Sequence, residues 1–119
     1  MAIVKPFRGL RPQPQLASRI AALPYDVMDS EEARAITAAN PDSFLRVTKS
    51  EVDLPADIDS HSPQVYEKAL ENLEAFIKQG LLRQDPKPYF YIYKQKMGDH
   101  VQIGLVAAAS VDEYEANTI

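Results

Sequence analysis

Between Ser62 and Gly80 the chain carries the local signals that start, sustain and stop a helix. Ser62 offers a cap for the free amides, and Pro63 suits the first helical position, where no amide donor is needed. Gly80 can take the left-handed conformation just past the end. In between, Val65, Tyr66, Ala69, Leu70, Leu73, Phe76 and Ile77 recur at helical spacing and form one apolar stripe. Such a stripe must be covered, so the rest of the chain has to supply a surface. Packing on a sheet is the first reading; a groove for a partner is the second.

The remaining segments suggest what that surface is. A second helix is predicted over Asp29–Ala39, with Asp29 as cap, Glu32 three residues on, and Asn40-Pro41 as the stop. Pro6, Pro12 and Pro14 make the first fourteen residues extended or turning, and Gln15–Leu23 has the spacing of a short helix that Pro24 ends. Phe44–Thr48 is rich in aromatic and β-branched residues and predicts a strand. Lys49–His61 carries Glu51, Asp53, Asp57 and Asp59 with no clear period, and predicts a surface loop. Asp85-Pro86-Lys87-Pro88 predicts a linker. Tyr89–Gln95 and Val101–Ser110 predict two strands joined by a tight turn at Gly98-Asp99. Tyr89, Tyr91 and Tyr93 share one face of the first; such a row covers a neighbouring element or stacks on a flat ligand. The expected fold is α+β: a small mixed or antiparallel sheet, with a possible strand from the N-terminal arm, and the two main helices packed on one face.

Composition narrows the function classes. Thirteen basic residues against seventeen acidic ones leave a net charge of −4, which speaks against a nucleic-acid partner that needs a basic face. The chain has no cysteine, which removes disulfides, thiolate metal sites and thiol nucleophiles. No stretch approaches the ~20 apolar residues that span a bilayer, and the first residues lack a signal-peptide core, so the expected setting is cytoplasmic with no membrane partner. The four glycines are isolated, so no phosphate-binding glycine loop is present. His61 and His100 have no second ligand at metal spacing, and no metal site is expected.

Two polar clusters interrupt otherwise structural segments. In Pro24-Tyr25-Asp26-Val27 a phenol and a carboxylate sit on a rigid stretch before a helix N-terminus, where anions are attracted. Asp26 is the candidate general base for a substrate hydroxyl, with organisation of the turn or the cap as the alternative; Tyr25 is a candidate substrate contact. In Asn40-Pro41-Asp42-Ser43-Phe44-Leu45-Arg46, Asn40 and Ser43 are candidate ligand groups and Arg46 a candidate anion fork, against a turn with an exposed arginine. Arg8, with Arg11, is a third candidate for anion contact. The apolar Val101–Ser110 strand, with only nine residues after it, reads as a central strand left open. It predicts either a chain cut before its domain is complete or a small association module, and in both cases self-association through that strand.

These segments in their order resemble a known family. Phe7-Arg8-Gly9-Leu10-Arg11-Pro12, Pro24-Tyr25-Asp26-Val27, Glu32-Ala33-Arg34, Asn40 to Val47, Tyr91-Ile92-Tyr93, Gly104-Leu105-Val106 and Val111-Asp112-Glu113-Tyr114 are similar to the opening of the bacterial and archaeal domain-of-unknown-function 1015 family. The resemblance implies that residues 1–119 are the N-terminal part of a longer protein, distantly similar to the ParB/sulfiredoxin-type nucleotide-binding fold and to free-serine kinases. The hallmark Asp-Gly-His-His-Arg segment and a Lys-His-Glu segment of that family do not occur here. It further implies, for the complete protein, ATP or ADP with magnesium, a small hydroxyl substrate such as serine, and phosphate transfer between them. This chain would hold no cofactor of its own and be inactive without its phosphate cradle. The alternative the resemblance leaves open is a non-enzymatic ligand-binding or protein-interaction module of ParB-like type.

Overall fold

A computed structural model describes residues 3–116. Its elements in chain order are strands β1 (Val4–Lys5) and β2 (Leu10–Pro12) and helices α1 (Ala17–Ile20), α2 (Ser30–Ala39), α3 (Leu45–Thr48) and α4 (Pro63–Lys78). Strands β3 (Leu82–Gln84), β4 (Tyr91–Met97), β5 (His100–Val106) and β6 (Ala108–Ala109) and helix α5 (Val111–Glu115) follow. The fold is α+β, as the sequence predicts. Two compact units divide it: Arg11–Arg83 form a mainly helical one, and Met1–Leu10 with Gln84–Ile119 form one built on antiparallel ladders.

In the helical unit the end signals act through specific bonds. The Asp29 carboxylate accepts from the Glu32 amide at 2.8 Å and starts α2. At the end of α4, Gly80 has φ +78°, the Gly80 amide donates to Ile77 O, and the Leu81 amide donates to Phe76 O. That pair of bonds is a Schellman close, and it turns the chain back over Phe76. The cap expected at Ser62 does not form: its hydroxyl makes no cap hydrogen bond, and its oxygen is buried without a partner among the described residues.

The strand predicted at Phe44–Thr48 is instead helix α3. Local hydrogen bonds outweigh the β-propensity of its side chains. Asn40 Oδ1 accepts from the Asp42 amide, Ser43 Oγ accepts from the Leu45 amide, and Phe44 O accepts from the Val47 and Thr48 amides. The predicted loop after it is also structured, as a 3-10 turn at Ser50–Asp53 with Ser50 and Glu51 buried. The sequence predicts a helix over Gln15–Leu23, and the structure shortens it to a 3-10 turn leading into α1, leaving Leu23 exposed.

These changes alter what covers the long helices. Within this unit α4 packs on α3 and the Ser50–Asp53 turn, and α2 packs on the same two segments, where a sheet was the expected cover. The core is Ile20, Phe76 and Leu82, with Leu16, Phe44, Leu73 and Leu81 packed against it. Phe44 and Phe76 meet edge to face at 6.4 Å. Not all of the α4 stripe is used: Val65 and Phe76 are buried, whereas Tyr66, Leu70 and Ile77 stay exposed.

In the other unit β4 and β5 form an antiparallel hairpin around Gly98, whose φ is +59°. The N-terminal arm adds to the ladders, as β1 pairs antiparallel with β6 and Phe7 bridges Tyr89. The residues predicted as a linker are anchored: the buried Asp85 donates its amide to Gly9 O and accepts from the Tyr91 hydroxyl at 2.5 Å. That hydroxyl also accepts from the Gly9 amide at 2.7 Å. A side chain on Gly9 would place its Cβ 2.8 Å from the Tyr91 oxygen, so the arm needs glycine for this close approach. Of the tyrosine row, Tyr91 thus covers the neighbouring arm, 5.0 Å from the Phe7 ring, while Tyr93 remains exposed.

Candidate functional site

The pocket with the most chemistry lies within the helical unit. It measures about 420 Å³ and is lined by Tyr25, Thr48, Lys49, Glu51, His61 and Tyr66, with Val47, Ser50, Ser60, Val65 and Ala69 completing the wall. Three local structures bring these groups together. The 3-10 turn Tyr25–Val27 follows Pro24 and presents Tyr25. The end of α3 and the next 3-10 turn present Thr48 to Glu51. The start of α4 presents Val65, Tyr66 and Ala69. Ser50 ties the last two together, because its hydroxyl donates to Val65 O at 2.5 Å.

The electrostatic centre of the pocket is an ion pair, Lys49 Nζ to Glu51 Oε1 at 3.0 Å, with side chains 14% and 6% exposed. Glu51 Oε1 also accepts from the Ser30 hydroxyl at 3.1 Å, and Glu51 O accepts from the Arg34 guanidinium at 2.9 Å. Burial alone would push the Glu51 carboxyl up. The backbone hydrogen bond within its own residue, those from Lys49 and Ser30, and the Lys49 charge outweigh it and hold the group below its ordinary value of 4.5. A carboxylate depressed in the folded state contributes stability that is present above the unfolded value and lost as pH falls through the folded one. The melting temperature is therefore expected to fall on acidification below about pH 4.5. Glu51→Gln should melt lower at pH 7 and lose part of that acid dependence; parallel pH profiles for the two proteins would show that Glu51 is not the group responsible.

The residues singled out in the sequence are distributed unevenly. Tyr25 lines the pocket. Asp26 is exposed in the same turn and is not part of the wall. Asn40, Ser43 and Arg46 are engaged in holding the helical unit. Asn40 Nδ2 donates to Arg19 O, the buried Ser43 serves Leu45, and Arg46 donates to Asp53 Oδ2 and Pro41 O, both at 3.0 Å. The Arg46 guanidinium also stands 5.9 Å from the centroid of the Phe76 ring. Buried Asn72 completes this framework by donating to Arg46 O and Asp53 Oδ2. Arg8 belongs to the other unit, where its Nε donates to Asp85 O at 2.7 Å.

The sequence reading missed Lys49, Glu51 and Tyr66 as pocket residues; His61, considered there only as a metal ligand, is exposed and lines the pocket. One signal was available: Glu51 is spaced two residues from Lys49 beside one serine and one threonine, a density of polar groups that a solvated loop does not require.

The family described as "Protein of unknown function (DUF1015)" matches residues 4–119. The chain belongs to the DUF1015 family. No curated protein and no solved structure matches it. Within this DUF1015 chain the pocket is thus characterised by its own groups: one cation, one carboxylate, an imidazole and several hydroxyls around a partly apolar floor. Among the described residues no cluster of three or more His, Asp or Glu could hold a metal ion, and no helix is long and apolar enough to cross a membrane.

Proposed function

We propose that this DUF1015 chain forms the substrate side of a nucleotide-dependent small-molecule kinase-like protein, receiving a small hydroxyl compound. The observation that carries the reading is the pocket of about 420 Å³, whose wall combines the Lys49–Glu51 pair with Tyr25, Thr48, His61 and Tyr66. Its volume suits a small polar ligand, and its polar groups converge on an apolar floor of Val47, Val65 and Ala69. In this reading Tyr25 and His61 hydrogen-bond the substrate, the ion pair orients it, and Asp26 takes the hydroxyl proton from the adjoining turn.

The pocket does not fit a nucleoside triphosphate. Its single lysine is already paired with Glu51, and no glycine loop supplies converging amides for a polyphosphate. The reading therefore assigns ATP or ADP, with its magnesium, to the complete family protein and derives no step through them here. The missing phosphate cradle also favours a second reading, a module that binds the same small ligand without transforming it.

Heteronuclear NMR of the 119-residue chain with small hydroxyl compounds, free serine among them, tests the binding half. Shifts confined to the pocket and abolished by Tyr25→Ala would support it; no shifts at saturating ligand would overturn it. For the chemical half, Asp26→Asn in a complete family member should lower phosphate transfer by at least about a hundredfold, the contribution of a positioned base. Unchanged transfer would remove Asp26 from the chemistry.

A further inference from the structure

The β4–β5 hairpin is exposed along nearly its whole length. Its register puts Ile92 beside Leu105, Lys94 beside Ile103 and Lys96 beside Val101 on one face. On that face Ile92, Ile103 and Leu105 are 71%, 68% and 63% exposed. Among the described residues β4 is the only ladder partner of β5, so the backbone donors and acceptors along the far side of β5 have no strand to pair with there. Proteins protect such an edge with charge, proline or a bulge, because it is a template for another strand. The seven residues of β5, His100 to Val106, contain no lysine, arginine, aspartate, glutamate or proline.

We propose that β5 pairs antiparallel with β5 of a second copy, about a two-fold axis passing beside Ile103. This centre makes the strand complementary to itself. Ile103 faces its own counterpart, Val101 lies beside Leu105 of the second copy, and Gln102 lies beside its Gly104. The apolar side chains fall together on one face, where cross-strand pairs of aliphatic residues are favourable. Charge selects this edge over the alternatives. Stacking two hairpins face to face would bring the lysines of both copies together, and pairing them along β4 about Lys94 or Gln95 would set a lysine beside a lysine, whereas β5 against β5 sets no formal charge on another. One patch then serves both copies, as a closed two-fold contact requires. The inference is independent of the pocket and of any substrate.

The absence of cysteine from the chain allows a direct test. Residues opposite one another in an antiparallel pair have Cα atoms about 4.5–5.5 Å apart, within the span of a disulfide. Under mild oxidation Ile103→Cys should become a covalent dimer, while Ile92→Cys, on the same face of β4 and one strand away from the axis, should remain uncrosslinked. The wild-type chain should sediment as a dimer. Ile103→Lys, which sets two ammonium groups across the axis, should sediment as a monomer with an unchanged circular dichroism spectrum. A wild-type monomer at all soluble concentrations would overturn the proposal. So would open-ended aggregates, or an Ile92→Cys chain that crosslinks as readily as Ile103→Cys.

Discussion

Replacing Phe76 with alanine is expected to destabilise the protein by about 3–5 kcal/mol, the range for emptying a fully buried aromatic site. Phe76 is 1% exposed, and its ring touches more than apolar neighbours. It meets the Phe44 ring edge to face, and the Arg46 guanidinium stacks over it. Its carbonyl also receives the Leu81 amide in the turn that closes α4. The side-chain loss therefore opens a cavity among Ile20, Leu82 and Phe44, and it removes the plate under Arg46. Since a domain of this size holds only ~5–15 kcal/mol in total, much of the native population should be lost at moderate temperature. Urea unfolding of the variant measures this; a loss below about 1 kcal/mol would show that the neighbours collapse to refill the space.

The second large effect is expected at Lys49. Lys49→Met keeps most of the side-chain volume but leaves the Glu51 carboxylate buried without its cation. Removing one member of a buried pair costs about 3–5 kcal/mol, because the remaining charge keeps its desolvation penalty. Ser30 and the backbone still donate to Glu51, which places the expected value at the lower end, about 3 kcal/mol. The double variant Lys49→Met/Glu51→Leu should recover part of that loss, because it leaves no orphan charge. If the double variant is as unstable as the single one, the pair is not what the loss reports.

Much of the helical framework was legible because its signals are local. Asp29 beside Glu32 starts α2, and Gly80 closes α4; these are contacts within a few residues, which a sequence displays directly. The hairpin turn at Gly98 was legible for the same reason. Phe44–Thr48 was misread because composition favours a strand while the hydroxyl of Ser43 and the side chain of Asn40 commit the backbone to a turn and then a helix. The pocket was only partly legible. Tyr25 could be picked out from its proline-fixed setting, but Lys49 and Glu51 become a site only when Ser50 reaches Val65, fifteen residues away. No local pattern encodes that approach. Buried Asp85 was hidden in the same way, since its amide bonds Gly9, which comes from a distant part of the chain.

The two units differ in how they are cut from the chain, and this has a consequence for protein synthesis. The helical unit is one continuous stretch, Arg11–Arg83, while the other joins the first ten residues to those after Arg83. Its bonds close long intervals: Gly9 to Tyr91 spans 82 residues, and Ile3 to Glu113 spans 110. Closing such intervals costs chain entropy that grows only slowly with length, so the arrangement is inexpensive at equilibrium. On the ribosome it imposes an order. The helical unit can fold as soon as residue 83 clears the exit tunnel. Residues 3–9, by contrast, must stay unpaired until the hairpin and α5 have emerged, so a segment translated before the helical unit finds its place only after it.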